Sequence, residues 1–388
     1  MNQAWPKKRL ADVCHILGGA TPATKNPKFY GGDIPWATVG DMNVEVITAT
    51  ADYITKAAVA DCSTNVIPSG SIVMATRVGL GKVCALGQDT AINQDLKGLT
   101  PKNAKELSNR WLYWWLKSKA ADIQKAGTGA TVQGVKMTFV QELEIPLAPL
   151  AEQKRIVALL DEAFAGIDEA ISMIESQSAS IKQLLESYLG GVFSTEQHGW
   201  ETRKLEECTT IIMGQSPEGS TYNAKAIGTP LINGPVEFSA DAFGETVEEK
   251  WTTEPTKLCK KGDLILCVRG STTGRMNIAG FDACIGRGVA AIRAKQSQSW
   301  VNHFVNASRS KILGMGKGAT FPNVSANDIG QMELTIPPED MQELLSKKFD
   351  DLRLLNADMC RSMEKRASLL KTLKSSFLAQ AFAGELTA

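Results

Sequence analysis

Two glycine-containing loops carry paired basic residues at corresponding places in the sequence. The first begins at Arg77 and ends at Lys82 (RVGLGK), and the second begins at Arg269 and ends at Arg275 (RGSTTGR). Each follows a short apolar run typical of a β-strand. Glycine lets backbone amides approach a phosphate, and arginine or lysine can reach phosphates or base edges. The pattern favours nucleic-acid binding, and a hairpin with solvated charges explains the residue types equally well.

A second pair of loops combines a lysine with glycines and hydroxyl residues. These loops span residues 125–133 (KAGTGATVQ) and 317–323 (KGATFPN). Hydroxyl and ammonium groups both donate hydrogen bonds to phosphate oxygens. The candidate contacts in these loops are Lys125, Thr128, Thr131, Lys317 and Thr320.

Other polar and aromatic residues fit the same chemistry less specifically. Asn93 carries an amide that could pair with adenine, although loop amides are commonly just hydrated, and Arg287 follows the second basic loop. An aromatic cluster at residues 111–115 (WLYWW) could stack on bases. Its helical spacing favours a buried core helix over residues 109–121 instead.

Catalytic motifs are absent from the sequence. It has no phosphate-binding GxxxxGK[ST] loop, no GxGxxG after a strand, no HExxH, and no motif of an amino-methyltransferase. The three histidines are scattered, and the eight cysteines form no CxxC pair. We therefore predict reduced cysteines, no metal site and no catalytic residues.

Two long helices must position these loops. Apolar residues recur with the 3.5-residue period of a coiled coil in residues 149–193, and the pattern returns 189 residues later with its phase kept, as from Leu160 to Phe349. Each seam extends over about 36 residues, or roughly 54 Å of helix. We predict that the two helices pack antiparallel; separate packing of each helix on its own domain is the alternative. The predicted interface consists of Ile156, Leu160, Ile167, Ile174, Ile181, Leu184, Tyr188, Leu345, Phe349, Leu352, Met359, Met363, Leu370, Leu373 and Phe377.

The repeat extends over the whole chain. WPKKRL at 5–10 matches WETRKL at 200–205, GSIVMATR at 70–77 matches GDLILCVR at 262–269, and GAT at 129–131 matches GAT at 318–320. Each copy combines short β runs, a helix, a glycine-rich loop and a long helix. The sequence thus predicts an α+β fold with internal pseudo-two-fold symmetry.

The net charge and the hydropathy of the chain bear on its partners and its cellular location. The formal net charge is zero, so binding to DNA would need local basic clusters or help from partner subunits. No apolar run is long enough to span a membrane, and the N-terminus lacks an apolar signal region. We expect a cytoplasmic protein without a membrane partner.

These motifs resemble the specificity subunits of type I restriction-modification enzymes over essentially the whole chain. The resemblance rests on the repeated Trp…Leu opening, GDLILCVR at 262–269, the run from GAT at 129–131 to LEIPLAPLAEQKR at 143–155, and FAGEL at 382–386. The second copy departs from it, with PEDMQ at 338–342 in place of PLAEQ.

The resemblance implies two target-recognition domains, residues 1–148 and 195–337, that each read one half of a bipartite site on double-stranded DNA. Residues 149–194 and 338–388 would form the paired helices that separate the domains, set the spacer and dock two methyltransferase subunits. Restriction or translocase subunits would complete the complex.

The same resemblance implies a non-catalytic chain without a cofactor, with S-adenosylmethionine, ATP and magnesium held by the partners. The candidate DNA contacts are Arg77, Lys82, Asn93, Lys125, Thr128, Thr131, Arg269, Arg275, Arg287, Lys317 and Thr320. The alternative function is a helical scaffold that assembles other proteins, and an enzyme with a dispersed active site is a third.

Overall fold

The chain folds as two compact units. The computed structural model describes residues 5–128, 134–194, 199–316 and 323–386. Unit 1 comprises residues 1–174 and 365–388, and unit 2 comprises residues 175–364. Both units mix strands and helices, which confirms the predicted α+β class. The boundary between the units falls within both long helices, and the four-part division at residues 148, 194 and 337 stays a prediction.

The first half of the chain contains eleven strands and six α-helices among its described residues. The strands are β1 (Lys7–Arg9), β2 (Cys14–Gly18), β3 (Tyr30–Ala37), β4 (Val46–Ile47), β5 (Asp52–Ile54), β6 (Val66–Ile67), β7 (Ile72–Ala75), β8 (Val83–Leu86), β9 (Thr90–Ile92), β10 (Leu96–Pro101) and β11 (Glu144–Pro146). The helices are α1 (Leu10–Val13), α2 (Lys56–Asp61), α3 (Asn109–Ser118), α4 (Ala120–Lys125), α5 (Met137–Glu142) and the long α6 (Leu150–Ser194).

The second half repeats most of this order, but among its described residues no α-helix takes the place of α2. Its strands are β12 (Glu201–Lys204), β13 (Thr209–Met213), β14 (Tyr222–Asn223), β15 (Thr229–Ile232), β16 (Trp251–Thr252), β17 (Leu258–Cys259), β18 (Leu264–Cys267), β19 (Met276–Ile278), β20 (Ala283–Ile285), β21 (Val289–Ala294) and β22 (Glu333–Ile336). Its helices are α7 (Leu205–Cys208), α8 (Gln298–Ala307), α9 (Arg309–Met315), α10 (Ala326–Gly330) and the long α11 (Glu339–Ala383).

A five-stranded sheet in the order β2-β10-β7-β8-β4 forms the centre of unit 1, beside a four-stranded sheet in the order β5-β3-β9-β6. Successive side chains of a strand point to opposite faces. Ile72 and Met74 of β7 therefore join the core that contains α3, whereas Val73 and Ala75 join the core that contains Ile92 of β9. Strand β7 is buried on both faces, so the loop that follows it starts from a fixed position.

Unit 2 builds the corresponding sheet from four strands in the order β13-β21-β18-β19, which match β2-β10-β7-β8 of unit 1. Leu264 and Leu266 of β18 pack in the core that contains α8, and Ile265 and Cys267 pack in the core that contains Ile285 of β20. The internal repeat of the sequence is thus a repeat of the fold.

The aromatic helix predicted at residues 109–121 is a core helix, α3, which ends at Ser118. Trp111 is buried, and its indole Nε1 donates to the Pro146 carbonyl at 2.9 Å. Its counterpart on α8, Trp300, donates to the Thr335 carbonyl at the same distance. The aromatic residues therefore anchor the strand that leads into each long helix.

The long helices run antiparallel to one another within each unit. In unit 1, Lys374 Nζ lies 2.7 Å from Asp168 Oδ2, and Phe164, one turn earlier in α6, packs on Phe377, which comes later in α11. In unit 2, Asn356 Nδ2 donates to the Ile181 carbonyl at 3.0 Å, and Tyr188, later in α6, packs on Phe349, which comes earlier in α11. Each helix has 45 residues, against about 36 expected, because the helical conformation continues beyond the apolar seam.

In each long helix, the less exposed residues agree with the predicted seam at about every second seam position and lie one residue later at the others. Residues 160, 167, 174 and 181 of α6 are buried or partly buried. The 3.5-residue period also passes through Ala163, Ala170 and Leu184, but these residues are more exposed than the ones that follow them, Phe164, Ile171 and Leu185. Positions three and four residues apart lie on the same helix face, and the larger side chains occupy the contact. The same one-residue shift occurs in α11, where Arg353 and Lys374 are less exposed than their predecessors in sequence.

By their exposure, the predicted interface residues fall into three groups. Ile156, Leu160 and Phe349 are buried; Ile167, Ile174, Ile181, Leu345, Met363, Leu370 and Phe377 are partly buried; Leu184, Tyr188, Leu352, Met359 and Leu373 are exposed.

Candidate nucleic-acid interface

Arg77 lies where three segments of unit 1 meet, and we refer to this meeting point as the unit 1 junction. Thr76, which directly follows β7, donates its backbone N–H to the Asp95 carbonyl at 2.8 Å. On its other side, Val135 donates its N–H to the Thr76 carbonyl, also at 2.8 Å. Thr128 and Gly134 exchange backbone hydrogen bonds of 3.0 and 2.9 Å. The structure thus places Arg77 beside both ends of the second candidate loop.

Unit 2 builds the corresponding junction around Arg269. Val268 donates its N–H to the Gly288 carbonyl at 2.9 Å and accepts from the Val324 N–H at 3.0 Å. The Arg269 side chain donates from Nε to Asn323 Oδ1 at 3.1 Å. Both copies of the repeat therefore position an exposed arginine by the same backbone arrangement.

The other predicted contacts differ in exposure. Lys125 and Thr128 are exposed near the unit 1 junction, and Arg287 is exposed beside Gly288. Lys82 is half-buried and donates from Nζ to Asn43 Oδ1 at 2.8 Å. Arg275 is half-buried at the far end of its loop. Thr131, Lys317 and Thr320 lie outside the described residues.

Asn93 differs most from the expectation that it reads a base. Its side chain is only 7% exposed. Its Oδ1 accepts from the Asp95 backbone N–H at 3.1 Å, and its Nδ2 donates to Asp95 Oδ2 at 3.3 Å. Because both ends of the amide are engaged inside the protein, Asn93 supports Asp95 rather than facing a ligand.

Asp95 is the residue of this region that sequence reasoning missed. Its Oδ1 lies 3.5 Å from Arg77 Nη1. Lys97, the next residue but one, donates from Nζ to the Gln94 and Leu96 carbonyls, each at 3.1 Å. Burial lowers the pKa of Lys97, and the Asp95 carboxylate opposes that change. The signal in the sequence was an acidic residue in the stretch that follows a buried strand.

A charged pair supports the central sheet of unit 2. Arg293 on β21 donates to both oxygens of buried Asp263, from Nε and Nη2, at 2.7 Å each. Unit 1 has a hydroxyl pair at the same place, because Ser71 Oγ and Thr100 Oγ1 are 2.8 Å apart. Arg293 is therefore structural, although it follows Arg287 closely in sequence.

An apolar groove lies on the helix pair of unit 2. It encloses about 480 Å³. Leu184 is 71% exposed and Leu355 is 57% exposed. Asn356 also lines this groove, and its Nδ2 donates a hydrogen bond to the Ile181 carbonyl of the facing helix. The groove is lined by Ile181, Leu184, Leu185, Tyr188, Leu352, Leu355, Asn356 and Met359.

Over residues 5–128, 134–194, 199–316 and 323–386, no three His, Cys, Asp or Glu residues are grouped as a metal ion would require. In these same ranges, no helix combines the length and apolar character needed to cross a membrane.

Comparisons with known proteins agree with one another. The family model described as "Type I restriction modification DNA specificity domain" matches residues 2–176 and again residues 197–359. The chain belongs to the type I restriction-modification DNA specificity family. One relative, the type I restriction enzyme MjaIX specificity subunit of Methanocaldococcus jannaschii, is 25% identical over 98% of this chain and 93% of its own length.

Solved structures share the fold of this specificity chain. A chain from a structural study of complex assembly and conformational transition of the type I R-M system has a TM-score of 0.83 at 24% identity, covering 99% of this chain and 98% of that chain. The HsdS subunit from Thermoanaerobacter tengcongensis has a TM-score of 0.61 at 23% identity, covering 100% and 98%. The first segment matched by the family model contains Arg77 and the second contains Arg269, so each match includes one junction.

Proposed function

We propose that this specificity chain reads a bipartite DNA site, with one half-site read by each unit. The observation that carries the proposal is the repeated junction, in which the same backbone arrangement presents an arginine among different polar neighbours. Asp95 lies beside Arg77, whereas Gly288 takes the corresponding place beside Arg269 and is preceded by Arg287. Equivalent positions with different side chains suit the reading of two different half-sites.

Both junctions would face the DNA, together with the loops that begin near them. Lys125, Thr128 and Thr131 in unit 1, and Lys317 and Thr320 in unit 2, would contact the backbone. Because the chain has no net charge, a large share of the phosphate neutralisation would come from partner subunits.

We further propose that the apolar groove docks a methyltransferase subunit through a helix with an apolar face. Exposed apolar surface on a helix pair marks a site for a partner, and helices pack well into grooves between helices. By the internal symmetry, the unit 1 half of the helix pair, where Leu373 is exposed, would dock a second methyltransferase. The paired helices would also set the spacer between the half-sites.

The chemistry of the complex would belong to these partners. We propose that the specificity chain catalyses no step, holds no cofactor and acts in the cytoplasm. S-adenosylmethionine would be bound by the methyltransferases, and ATP and magnesium by the restriction subunits.

A binding experiment with the assembled complex tests the reading of half-sites. The complex would select from duplexes randomised at each base pair of its site. Arg77→Ala is expected to relax base preference in one half-site and Arg269→Ala in the other, with discrimination falling roughly 5- to 150-fold at the affected base pair. Arg366→Ala, which removes an exposed arginine from α11, serves as the control and should leave both half-sites unchanged.

Two results would contradict the proposal. One is relaxation of the same half-site by both junction variants. The other is equal weakening for every sequence, which would make the arginines phosphate contacts.

A further inference from the structure

Asp95 is an acidic side chain in a region that we expect to face a polyanion. A carboxylate beside a phosphate contact would weaken that contact, because like charges repel. Its position therefore needs an explanation other than affinity for DNA. Asp95 lies 3.5 Å from the side chain that we propose to read DNA in unit 1.

The Asp95 carboxylate is held in place more firmly than the arginine it faces. Asp95 is 15% exposed at its side chain, whereas Arg77 is 51% exposed. The buried Asn93 amide contacts both the backbone N–H and Oδ2 of Asp95, and the Asp95 carbonyl accepts from the Thr76 N–H and the Thr76 hydroxyl at 2.8 and 3.1 Å. Oδ1 is thus presented to Arg77 from a fixed support.

A guanidinium has two edges that can donate at the same time. An arginine held by a carboxylate at one edge retains donors for a bidentate contact with O6 and N7 of guanine. The carboxylate also disfavours a nearby phosphate, so it directs the arginine towards base edges. In unit 2, Gly288 takes the place of Asp95, and the Arg269 Nε donates to the neutral Asn323 amide oxygen.

We propose that Asp95 is a positioning residue that holds Arg77 for recognition of a guanine in the half-site read by unit 1. The proposal rests on the DNA-reading function proposed above. It assigns a role to a residue that itself need not touch DNA.

The test compares specific and non-specific binding by the complete complex of specificity and methyltransferase subunits. Asp95→Asn removes the charge with little change of shape. It should lower discrimination for guanine at one base pair about 10-fold, while binding to DNA without a site stays equal or becomes tighter because a negative charge is lost. In an Arg77→Ala background, Asp95→Asn should have no further effect on discrimination.

Preference in the half-site read by unit 2 serves as the folding control and should stay unchanged. Should Asp95→Asn disturb that half-site as well, Arg77→Lys provides the second variant. It keeps the charge but loses the second donating edge, so it should lose guanine discrimination while binding to site-free DNA is retained.

Several outcomes would overturn the proposal. Equal tightening of cognate and non-cognate DNA by Asp95→Asn would show that Asp95 only repels phosphate. An undiminished effect of Asp95→Asn without Arg77 would show that it does not act through the arginine. If the unaltered complex has no base preference in either half-site, the DNA-reading function fails, a result distinct from the failure of Asp95 alone.

Discussion

Phe349 lies on the face of α11 that is buried in unit 2, whereas the face that we propose for docking is exposed. Phe349 is fully buried, and its ring centroid lies 5.3 Å from His303, 5.9 Å from Trp300 and 6.1 Å from Phe193. These rings connect α11 to α8 and to the end of α6 within unit 2. Phe349→Ala would therefore remove the side chain on which three elements converge.

The expected loss is large for a single substitution. Replacing a buried phenylalanine by alanine costs about 3–5 kcal/mol, because apolar burial is lost and a cavity remains. Alanine is a good helix former, so the helix itself should persist. Unit 2 spans residues 175–364, and for a domain of that size each 1 kcal/mol lowers Tm by about 2–4 °C. The unfolding temperature of unit 2 should fall by roughly 6–20 °C.

Leu355→Ala on the same helix provides the matched control. This leucine is more than half exposed, so its loss should change the free energy of unfolding by no more than about 0.5 kcal/mol. It lines the apolar groove, and losing that contact should weaken methyltransferase binding by about 1–2 kcal/mol, or roughly 5- to 30-fold in Kd.

Calorimetry with amide hydrogen exchange would measure unfolding, and titration of a methyltransferase subunit would measure docking. Exchange in β18 reports on unit 2, and exchange in β7 reports on unit 1 and should stay unchanged. If Leu355→Ala destabilises unit 2 as much as Phe349→Ala does, the two positions do not differ in their role for stability. If Phe349→Ala leaves the unfolding of unit 2 unaltered, the aromatic contacts of Phe349 do not stabilise unit 2.

Three further predictions concern pH, a buried ion pair and the spacer. Burial lowers the pKa of His303 from its usual value of 6.5, although the nearby Asp350 opposes this change. Because the histidine takes up a proton more readily in the unfolded chain than in the folded one, unit 2 should lose stability as pH falls below about 6.5. Thermal unfolding from pH 8 to 5 should show this loss reduced by His303→Gln but not by His15→Gln, which alters an exposed histidine. Asp263→Ala should lower the free energy of unfolding, measured with urea, by roughly 1–3 kcal/mol. The double change Asp263→Ser with Arg293→Thr, which copies unit 1, should lower it by less. Equal losses would mean that the unpaired arginine does not cause the destabilisation. Deleting seven residues from each of α6 and α11 keeps the 3.5-residue phase and shortens each helix by roughly 10 Å. The spacer preferred in methylation assays should then shorten by about 3 base pairs, and both half-sites should stay unchanged. An altered half-site would contradict the role of the helices in setting the spacer.

The pH effect is expected in unit 2 because the two units differ at one equivalent position. His303 Nε2 lies 3.3 Å from Asp350 Oδ1. At the matching place in unit 1, Trp114 donates from its indole Nε1 to Asp161 Oδ1 at 2.7 Å. An indole does not titrate in this pH range, so the bond in unit 1 stays the same while His303 changes charge.

Internal repetition made the fold predictable from one sequence. A match between residues 70–77 and 262–269 places two strands in corresponding positions without any structural information. The alternation of apolar residues likewise located both long helices. It did not fix which of two neighbouring residues faces the partner helix, because alanines such as Ala163 satisfy the period as well as Phe164 does. Side-chain volume decides the contact, and the period contains no information on volume.

The polar contacts were less accessible to sequence reasoning. Asp95 and Arg77 are distant in sequence and meet because β7 and β10 pair, which the local pattern does not specify. The pair of Arg293 and Asp263 left a better signal. Both residues replace small hydroxyl residues of the first copy, and a paired change between repeats indicates a contact. Comparing the copies position by position would have identified Arg293 as structural.

Methylome sequencing of a host that carries this chain and its methyltransferase partner, beside a host without the chain, tests whether this chain reads the DNA. We expect a bipartite methylated-adenine motif that disappears with the chain. Arg77→Ala should change one half of this motif, and Arg269→Ala should change the other. The same motif in both hosts, or none in either despite an active partner, would contradict the claim that this chain reads the DNA.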